Sequence, residues 1–298
     1  MPLIECVPNV SEGRREDIIS ALADAIDATD VNLLDQSSDS SHNRTVYTFV
    51  GEAAALQEAV LRLFTAAVAM IDLREHEGVH PRIGAVDVVP FVPLRDTAMD
   101  QCVALAKSTA ALVAERLQVP LFLYEDAAAT DERRNLADIR RGGIDGISHR
   151  MQQPAWRPDF GPDRPHPTAG ATAIGARPIL IAYNVNLATT RLGVAKRIAS
   201  AIRASTGGFA NVKAMGVQLD HGVVQVSMNL TDYRETSMAT VFDAIAREAA
   251  TDGVRVLESE IVGLVPSEAL PPDPRRRLKL READLDRVLE ARLERDAK

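Results

Sequence analysis

The chain reads H-E-G-V-H at 76–80, which places two histidines four positions apart. The same spacing occurs in zinc peptidases, where both histidines must lie one turn apart on a helix, with the glutamate as general base. Gly78 inside this segment and Pro81 after it predict a loop instead, so we expect no metal here. A loop histidine with a pKa near 6.5 can take up and release a proton at neutral pH. His80 is therefore a candidate proton shuttle, and Arg82 beside it is a candidate group for holding a substrate carboxylate.

Side-chain amides alternate along two predicted strands in the second half of the chain. Asn184 and Asn186 share one face of the strand at 179–187, and Gln225 lies on the polar face of the strand at 223–230. As the first and third strands of a ferredoxin-like sheet, these two would be neighbours, with their amides side by side on the face that helices leave uncovered. Such a face suits a ligand with many hydrogen-bonding groups. An ordinary solvent-facing sheet surface is the alternative.

Arginines cluster in residues 126–177, a long stretch in which regular patterning is weak. Residues 133–164 carry seven arginines against four aspartates, in a chain whose net charge is −8. A loop region of this length is usually functional or disordered. We expect this segment, with Arg44, Arg82 and Arg177, to create a local positive field that attracts anionic substrates through guanidinium–carboxylate pairing. A solvated linker with scattered charge is the alternative.

Strand and helix patterns alternate around these residues. The 298 residues suggest about two domains, and a hydrophobic fraction of 46% supplies a core for each. Residues 3–92 follow the order β-α-β-β-α-β and continue into one more helix and strand, and residues 179–264 repeat that order. The predicted fold class is α/β (α+β). It consists of two ferredoxin-like βαββαβ subdomains, 1–178 and 179–298, with a ligand cleft between their sheets.

Local boundaries follow from the same patterns. Residues 3–10 read as one continuous strand, and Asp96 reads as the cap of the helix that follows it. Residues 220–222 read as a turn between two strands. The spacing of apolar residues after Pro274 predicts one packed terminal helix.

Composition argues against several classes of protein. With 34 basic and 42 acidic residues and a pI near 5.4, the chain is a poor nucleic-acid binder. Cys6 and Cys102 are the only cysteines, too few for a disulfide framework, which favours a reducing compartment. The amino terminus has no secretory pattern, and the longest apolar stretch, 64–71, is too short to span a membrane. We expect a cytoplasmic protein with neither a membrane nor a nucleic-acid partner.

Several segments, in chain order, carry a resemblance to a known family. They are C-V-P-N-V-S-E-G-R at 6–14, H-N-R-T-V-Y-T-F-V-G at 42–51, H-P-R-I-G-A-V-D-V-V-P-F-V-P at 80–93, P-D-F-G-P at 158–162, G-A-T-A-I-G-A-R at 170–177, Q-V-S-M-N-L-T-D-Y at 225–233 and V-G-L-V-P at 262–266. Over roughly residues 3–270 the chain resembles the formiminotransferase family.

The resemblance implies an activity. Members transfer the formimino group of N-formimino-L-glutamate to N5 of tetrahydrofolate in histidine degradation, giving 5-formiminotetrahydrofolate and L-glutamate. Tetrahydrofolate is then a co-substrate, no metal is expected, and a homodimer is implied. A chain that ends at Lys298 is similar to the monofunctional form, which lacks the cyclodeaminase domain of animal members. The alternatives are a related one-carbon transferase with another formimino or formyl donor, such as formiminoglycine, and a folate-binding module without turnover.

The resemblance also implies site residues. The histidine of the H-P-R motif, His80, is the catalytic proton donor or acceptor. The folate-binding stretch corresponds to Gly161, Pro162, Asp163, Arg164, Pro165, His166, Pro167, Thr168, Ala169 and Gly170. Taken from the matched motifs and from the loop and strands above, the predicted substrate-binding residues are Asn9, Asn43, Arg44, Arg82, Asn184, Asn186 and Gln225.

Overall fold

The computed structural model describes residues 2–219 and 222–295. These residues form two compact units, divided in the chain between Pro178 and Ile179. The elements of the first unit are β1 (Ile4–Cys6), β2 (Asn9–Val10), α1 (Glu16–Asp27), β3 (Asn32–Asp39), β4 (Arg44–Gly51), α2 (Ala53–Met70), β5 (Val86–Pro93), α3 (Met99–Leu117), β6 (Leu121–Glu125), α4 (Leu136–Ile139), α5 (Gly143–Arg150) and β7 (Thr172–Ala176).

The antiparallel part of the first sheet has the predicted ferredoxin-like order. β1 and β2 lie between β4 and β5, and β3 pairs with the other edge of β4. The prediction of one strand over residues 3–10 is wrong, because the strand is interrupted at Val7 and Pro8. Proline has no N–H to donate to the ladder, although the Pro8 carbonyl still accepts a hydrogen bond from the Tyr47 amide at 3.1 Å.

A strand that the sequence analysis missed completes this sheet. β7 lies between β5 and β6 and runs parallel to both. Its five residues are buried, but the run is short and follows a long irregular stretch, so no periodicity marks it. Gly175 is required there, since a Cβ at this position would lie 2.3 Å from the Tyr124 carbonyl oxygen on β6.

Helices α1, α2 and α3 supply the apolar core of the first unit. α3 begins at Met99 and not at the predicted cap Asp96, which has a positive φ of 52°. By length and composition α2 is the one helix among the described residues that could cross a membrane. Its apolar side, including Leu56 and Leu63, is however buried in the core, as expected for a central helix of a globular unit.

The second unit is a single four-stranded antiparallel sheet with helices. Its elements are β8 (Ile181–Leu187), α6 (Leu192–Ile202), β9 (Val212–Gln218), β10 (Val224–Leu230), α7 (Met238–Thr251), β11 (Val256–Val262), α8 (Pro274–Leu278) and α9 (Leu289–Arg295). The strand order β11-β8-β10-β9 places the first and third strands of the unit at its centre, which is the ferredoxin-like arrangement. The predicted α+β fold class is thus confirmed.

The chain after Pro274 does not form the single helix that the apolar spacing predicted. After α8 the chain pairs with β11 at a bridge between Leu280 and Ser259, where the Ser259 amide donates to the Lys279 carbonyl and the Arg281 amide donates to the Ser259 carbonyl. A short 3-10 turn, Glu282–Asp284, follows before α9. Leu278 and Leu280 are both buried. Leu278 ends α8 and Leu280 lies in the bridge to β11, so these two leucines do not share one helix. Of the predicted turn, residues 220 and 221 lie outside the described part of the chain.

Candidate active site

His80 lies in the loop between α2 and β5. Residues 76–80 form no helix, so this segment lacks the helical spacing that a zinc-peptidase site requires. The Nδ1 atom of His80 lies 2.8 Å from the Pro81 carbonyl oxygen. Because a carbonyl oxygen can only accept, this short contact favours the tautomer with the ring proton on Nδ1 and the lone pair on Nε2, in which the longer approach of Arg44 Nη1 to Nδ1, at 3.3 Å, is not a hydrogen bond. In this tautomer Nε2 can act as a base.

Three charged groups are packed beside His80. Arg44 Nη1 donates to Asp87 Oδ2 at 2.9 Å and lies 3.3 Å from His80 Nδ1. Arg140 donates through Nη2 to the same Asp87 oxygen. The Ile83 amide donates to the other carboxylate oxygen at 2.8 Å. One fully buried carboxylate on β5 therefore binds two guanidinium groups, one from β4 and one from the arginine-rich stretch.

This environment changes the proton affinity of both His80 and Asp87. Desolvation, followed by the positive charges of Arg44 and Arg140, holds the pKa of His80 well below its usual 6.5. The sequence-based expectation that this histidine titrates near neutrality is wrong, and the imidazole is neutral at pH 7. Burial acts to raise the pKa of Asp87, but the charges of Arg140 and Arg44 outweigh it and hold that pKa below its usual value.

Arg82 is occupied by contacts to its own loop and to the turn between β3 and β4. Its Nη2 donates to the carbonyl oxygens of His42 and His80, both at 2.9 Å, and its Nε lies 3.2 Å from the latter. Its Nη1 contacts the Asn43 carbonyl and the His76 ring. Burial and the charge of Arg82 together lower the pKa of His76 to about 4. A substrate carboxylate at Arg82, as the sequence analysis predicted, would have to displace one of these bonds.

Asn9 and Asn43 hold the same region through hydrogen bonds. Asn9 Oδ1 accepts from Nε and Nη2 of Arg44, at 2.9 and 2.8 Å, and so fixes the plane of that guanidinium. Asn43 Oδ1 accepts from the Gly13 amide at 2.9 Å, and its Nδ2 donates to the Glu77 carbonyl at 2.8 Å. The structure therefore places these two predicted substrate-binding amides in contact with Arg44 and with the loop that carries His80.

The predicted folate-binding stretch, 161–170, folds back on itself. The amides and carbonyls of His166 and Gly170 are paired in both directions, at 2.7 and 3.0 Å. Gly170 has a φ of +69°, and a Cβ there would lie 2.2 Å from the Ile83 carbonyl oxygen. A cavity of about 570 Å³, within the usual range for a small-molecule site, is lined by residues that include His76, Arg82, His166, Pro167, Thr168 and Gly170.

The predicted amides of the second unit do lie together. Gln225 is directly opposite Asn186 in the β8–β10 ladder, and its Nε2 donates to Asn186 Oδ1 at 3.0 Å. The Gln225 and Asn184 amides also donate to Glu260 Oε1, at 3.0 and 2.9 Å. All three amides are buried, so this is no ordinary solvent-facing surface. Their N–H groups are held by glutamates of β11, the nearest of which is Glu260.

The arginine-rich stretch is not one uniform positive surface. Among its residues, three arginines pair with carboxylates of their own segment: Arg133 with Asp159, Arg134 with Asp126, and Arg141 with Asp138. The Arg150 guanidinium stacks 4.5 Å from the centre of the Trp156 ring. Among the ion pairs of the described residues, Arg140 is the one arginine of this stretch that joins the group around His80. The predicted field is therefore concentrated at Arg140 and Arg44.

Sequence reasoning missed Asp87, Glu12 and Glu5. Each is an acidic residue in an otherwise apolar strand or in one of the family motifs. An acidic residue in such a segment is the signal that could have identified it. The Glu12 carboxylate accepts from the amides of Gly13, Arg14 and Arg15 at the start of α1, at 2.9 to 3.0 Å. Burial raises the pKa of Glu5 on β1 to about 7, against the lowering effect of the Arg177 charge.

Two sequence profiles place the chain in one class of one-carbon transfer proteins. The profile of the formiminotransferase domain, N-terminal subdomain, matches residues 3–177, and that of the formiminotransferase domain matches residues 182–272. The chain belongs to the formiminotransferase family.

Named relatives of this family cover most or all of the chain. A glutamate formimidoyltransferase of Streptococcus pyogenes is 45% identical, over 90% of both chains. One from Thermoplasma acidophilum is also 45% identical, over 100% of this chain and 99% of its own. The pig (Sus scrofa) formimidoyltransferase-cyclodeaminase is 43% identical over 90% of this chain, which corresponds to 51% of the pig protein.

Proposed function

We propose that this protein transfers the formimino group from N-formimino-L-glutamate to N5 of tetrahydrofolate, releasing L-glutamate, in histidine degradation. The observation that carries the proposal is the His80 arrangement, in which a neutral imidazole lies beside two arginines. The full-length relatives named glutamate formimidoyltransferase support the same reaction.

In this reaction tetrahydrofolate, when bound, supplies the secondary amine N5 that forms the new bond to the formimino carbon. His80 Nε2 takes the proton that N5 loses and returns it to the glutamate nitrogen as the bond from that nitrogen to the formimino carbon breaks. A permanently charged arginine cannot perform both steps. The carboxylates of the donor lower the positive potential that Arg44 and Arg140 create, so substrate binding raises the basicity of His80 when the base is needed.

The residues of the first unit are compatible with folate as co-substrate. The cavity beside His166 and Thr168 has the volume of a small-molecule site, and polar side chains such as His76 line it. We assign the stretch 161–170 to folate contacts and the amides Asn184, Asn186 and Gln225 to orienting the donor. These assignments rest on the family motifs and on the buried positions of the amides.

The first experiment tests transfer and binding separately. The purified protein is incubated with tetrahydrofolate and N-formimino-L-glutamate, and the absorbance of the folate product is followed. Tetrahydrofolate binding is titrated in parallel. We expect both turnover and binding. Binding without turnover would indicate a folate-binding module, and turnover only with formiminoglycine or a formyl donor would indicate a related transferase.

The role of His80 is tested with His80→Ala in the same assay. Because general acid–base catalysis is typically worth about 10²–10⁴-fold, kcat should fall by that factor while tetrahydrofolate affinity is largely kept. His149→Ala, at an exposed histidine outside the proposed site, is the matched control. If the folded His80→Ala protein keeps kcat within about threefold of the parent from pH 6 to 9, the shuttle assignment is wrong.

We also propose that the protein acts in the cytoplasm as a homodimer. The absence of a disulfide framework among its two cysteines supports the compartment, and the family resemblance supports the dimer. Sedimentation equilibrium at micromolar concentration should give twice the 32.3 kDa chain mass. A monomer mass throughout would exclude the dimer.

A further inference from the structure

Two guanidinium groups share one carboxylate oxygen beside His80. Arg44 and Arg140 both pair with Asp87 Oδ2, so two positive charges and one negative charge leave one net positive charge. The side chains are only 9%, 12% and 0% exposed for Arg44, Arg140 and Asp87. An uncompensated buried charge is costly in a folded protein. This excess charge therefore marks a place where an anion would be stabilised.

The two arginines differ in how many of their N–H groups already donate to an acceptor in the protein. Arg44 is held on one side by Asn9, through two N–H groups, and on the other by Asp87. For Arg140, in contrast, no acceptor among the described residues reaches the buried Nε. A buried donor without a partner loses its solvation free energy without replacement. Arg140 is thus the arginine that is poised to take an additional ligand.

The chemistry of the donor says which anion that ligand is. In an N-formimino amino acid, the nitrogen that leaves is bonded to the α-carbon, which also bears the α-carboxylate. When His80 returns its proton to that nitrogen, the α-carboxylate is the closest anionic group of the donor, and the side-chain carboxylate is farther along the chain. A cationic group next to His80 therefore fits the α-carboxylate.

We propose that Arg140, oriented by Asp87, binds the α-carboxylate of the N-formimino amino-acid donor next to His80. This inference rests on the proposed formimino transfer and adds the residue that makes the enzyme specific for α-amino-acid donors. Asp87 is the positioning residue, since its Oδ2 accepts from Arg140 Nη2 and holds that guanidinium beside Arg44. Arg44, held by Asn9, keeps the potential positive and contacts the His80 ring.

The test compares two donors that differ only in this group. N-formimino-L-glutamate has both carboxylates, whereas N-formimino-4-aminobutyrate keeps the side-chain carboxylate and lacks the α-carboxylate. We expect the wild type to prefer the first donor in kcat/KM. A charge-assisted hydrogen bond is worth about 1.5–3 kcal/mol, or roughly 10- to 100-fold. In Arg140→Gln that preference should shrink by about this factor, mainly through the KM of the first donor, with the KM of tetrahydrofolate unchanged.

Two further variants control for charge and for folding. Arg141→Gln removes the same charge from the neighbouring residue, whose exposed side chain pairs with Asp138, and should keep the wild-type preference. Arg140→Lys keeps a charge beside Asp87 and should keep part of the preference, so it carries the test if the Gln variant does not fold. The inference is overturned if Arg140→Gln, or the folded Lys variant alone, slows both donors equally. It is also overturned if Arg141→Gln has the same effect. A wild-type protein that transfers from neither donor would instead overturn the proposed function itself, and this inference with it.

Discussion

Replacing Asp87 by asparagine should be among the most damaging isosteric changes in the first unit. Asparagine keeps an oxygen that can accept from the Ile83 amide, but it removes the charge that balances Arg44 and Arg140. The buried group then carries two positive charges instead of one. Breaking a buried ion pair by removing one partner costs about 3–5 kcal/mol of unfolding free energy, because the remaining charge is uncompensated. We expect Asp87→Asn to fall in this range.

Urea denaturation followed by Trp156 fluorescence measures this effect, since Trp156 is the only tryptophan and lies in the first unit. The free-energy difference follows from the shift of the midpoint at constant slope. Asp138→Asn is the control, because its pair with Arg141 is exposed and such pairs contribute about 0–1 kcal/mol. The double variant Asp87→Asn/Arg140→Gln restores one net positive charge and should recover part of the loss. A cost below about 1 kcal/mol, or no recovery in the double variant, would refute the reasoning.

Three further expectations follow from the same structure. Because the pKa of His80 is lowered, its base form persists to low pH. The fall of kcat/KM on the acid side of the pH profile should therefore lie below pH 6.5 and should disappear in His80→Ala. A fall that begins above that pH would contradict the assignment. Glu5 has a pKa raised to about 7, so its burial costs stability as pH rises from 4.5 through 7. Glu5→Gln should therefore gain up to about 3 kcal/mol at pH 8 and little at pH 4, as measured by urea unfolding at both values; an equal gain at both would exclude titration as the cause. Gly170→Ala should lower the free energy of unfolding by about 1–3 kcal/mol more than Gly143→Ala does. Both glycines have positive φ, but only an alanine at 170 would place its Cβ 2.2 Å from a carbonyl oxygen, that of Ile83. Equal urea midpoints for the two variants would disprove this.

Much of the fold was predictable because it depends on periodic patterns. The β-α-β-β-α-β order of each unit, and the lateral pairing of Gln225 with Asn186, follow from alternation and from one topological rule. β7 was not predictable, because its burial comes from neighbours on both sides rather than from a pattern of its own. The end of the helix at Leu278 was not predictable for a related reason, since it depends on the bridge that Leu280 forms with β11.

The site was predictable in its residue types but not in its partners. Motifs pointed to His80, Arg44 and Asn43, which the structure brings into one region. Ion pairing is a property of three-dimensional proximity, so nothing in the sequence separated Arg140 from the other arginines of its stretch. The pKa of His80 likewise depends on charges that lie far away in the chain.

The position of β7 also bears on the order in which the first unit is assembled. During synthesis β5 and β6 emerge well before β7, yet neither pairs with the other in the finished sheet, because β7 separates them. The segment that carries Arg140 lies between β6 and β7 in the chain. Its two ends are therefore held close together only when β7 has paired with β6. Closing a long segment costs chain entropy before its contacts form. The pair of Arg140 with Asp87 joins residues 53 apart in the chain, so the arginine that we assign to substrate specificity reaches its place only through closure of this segment, whereas His80 and Arg44 lie in parts of the chain that precede it.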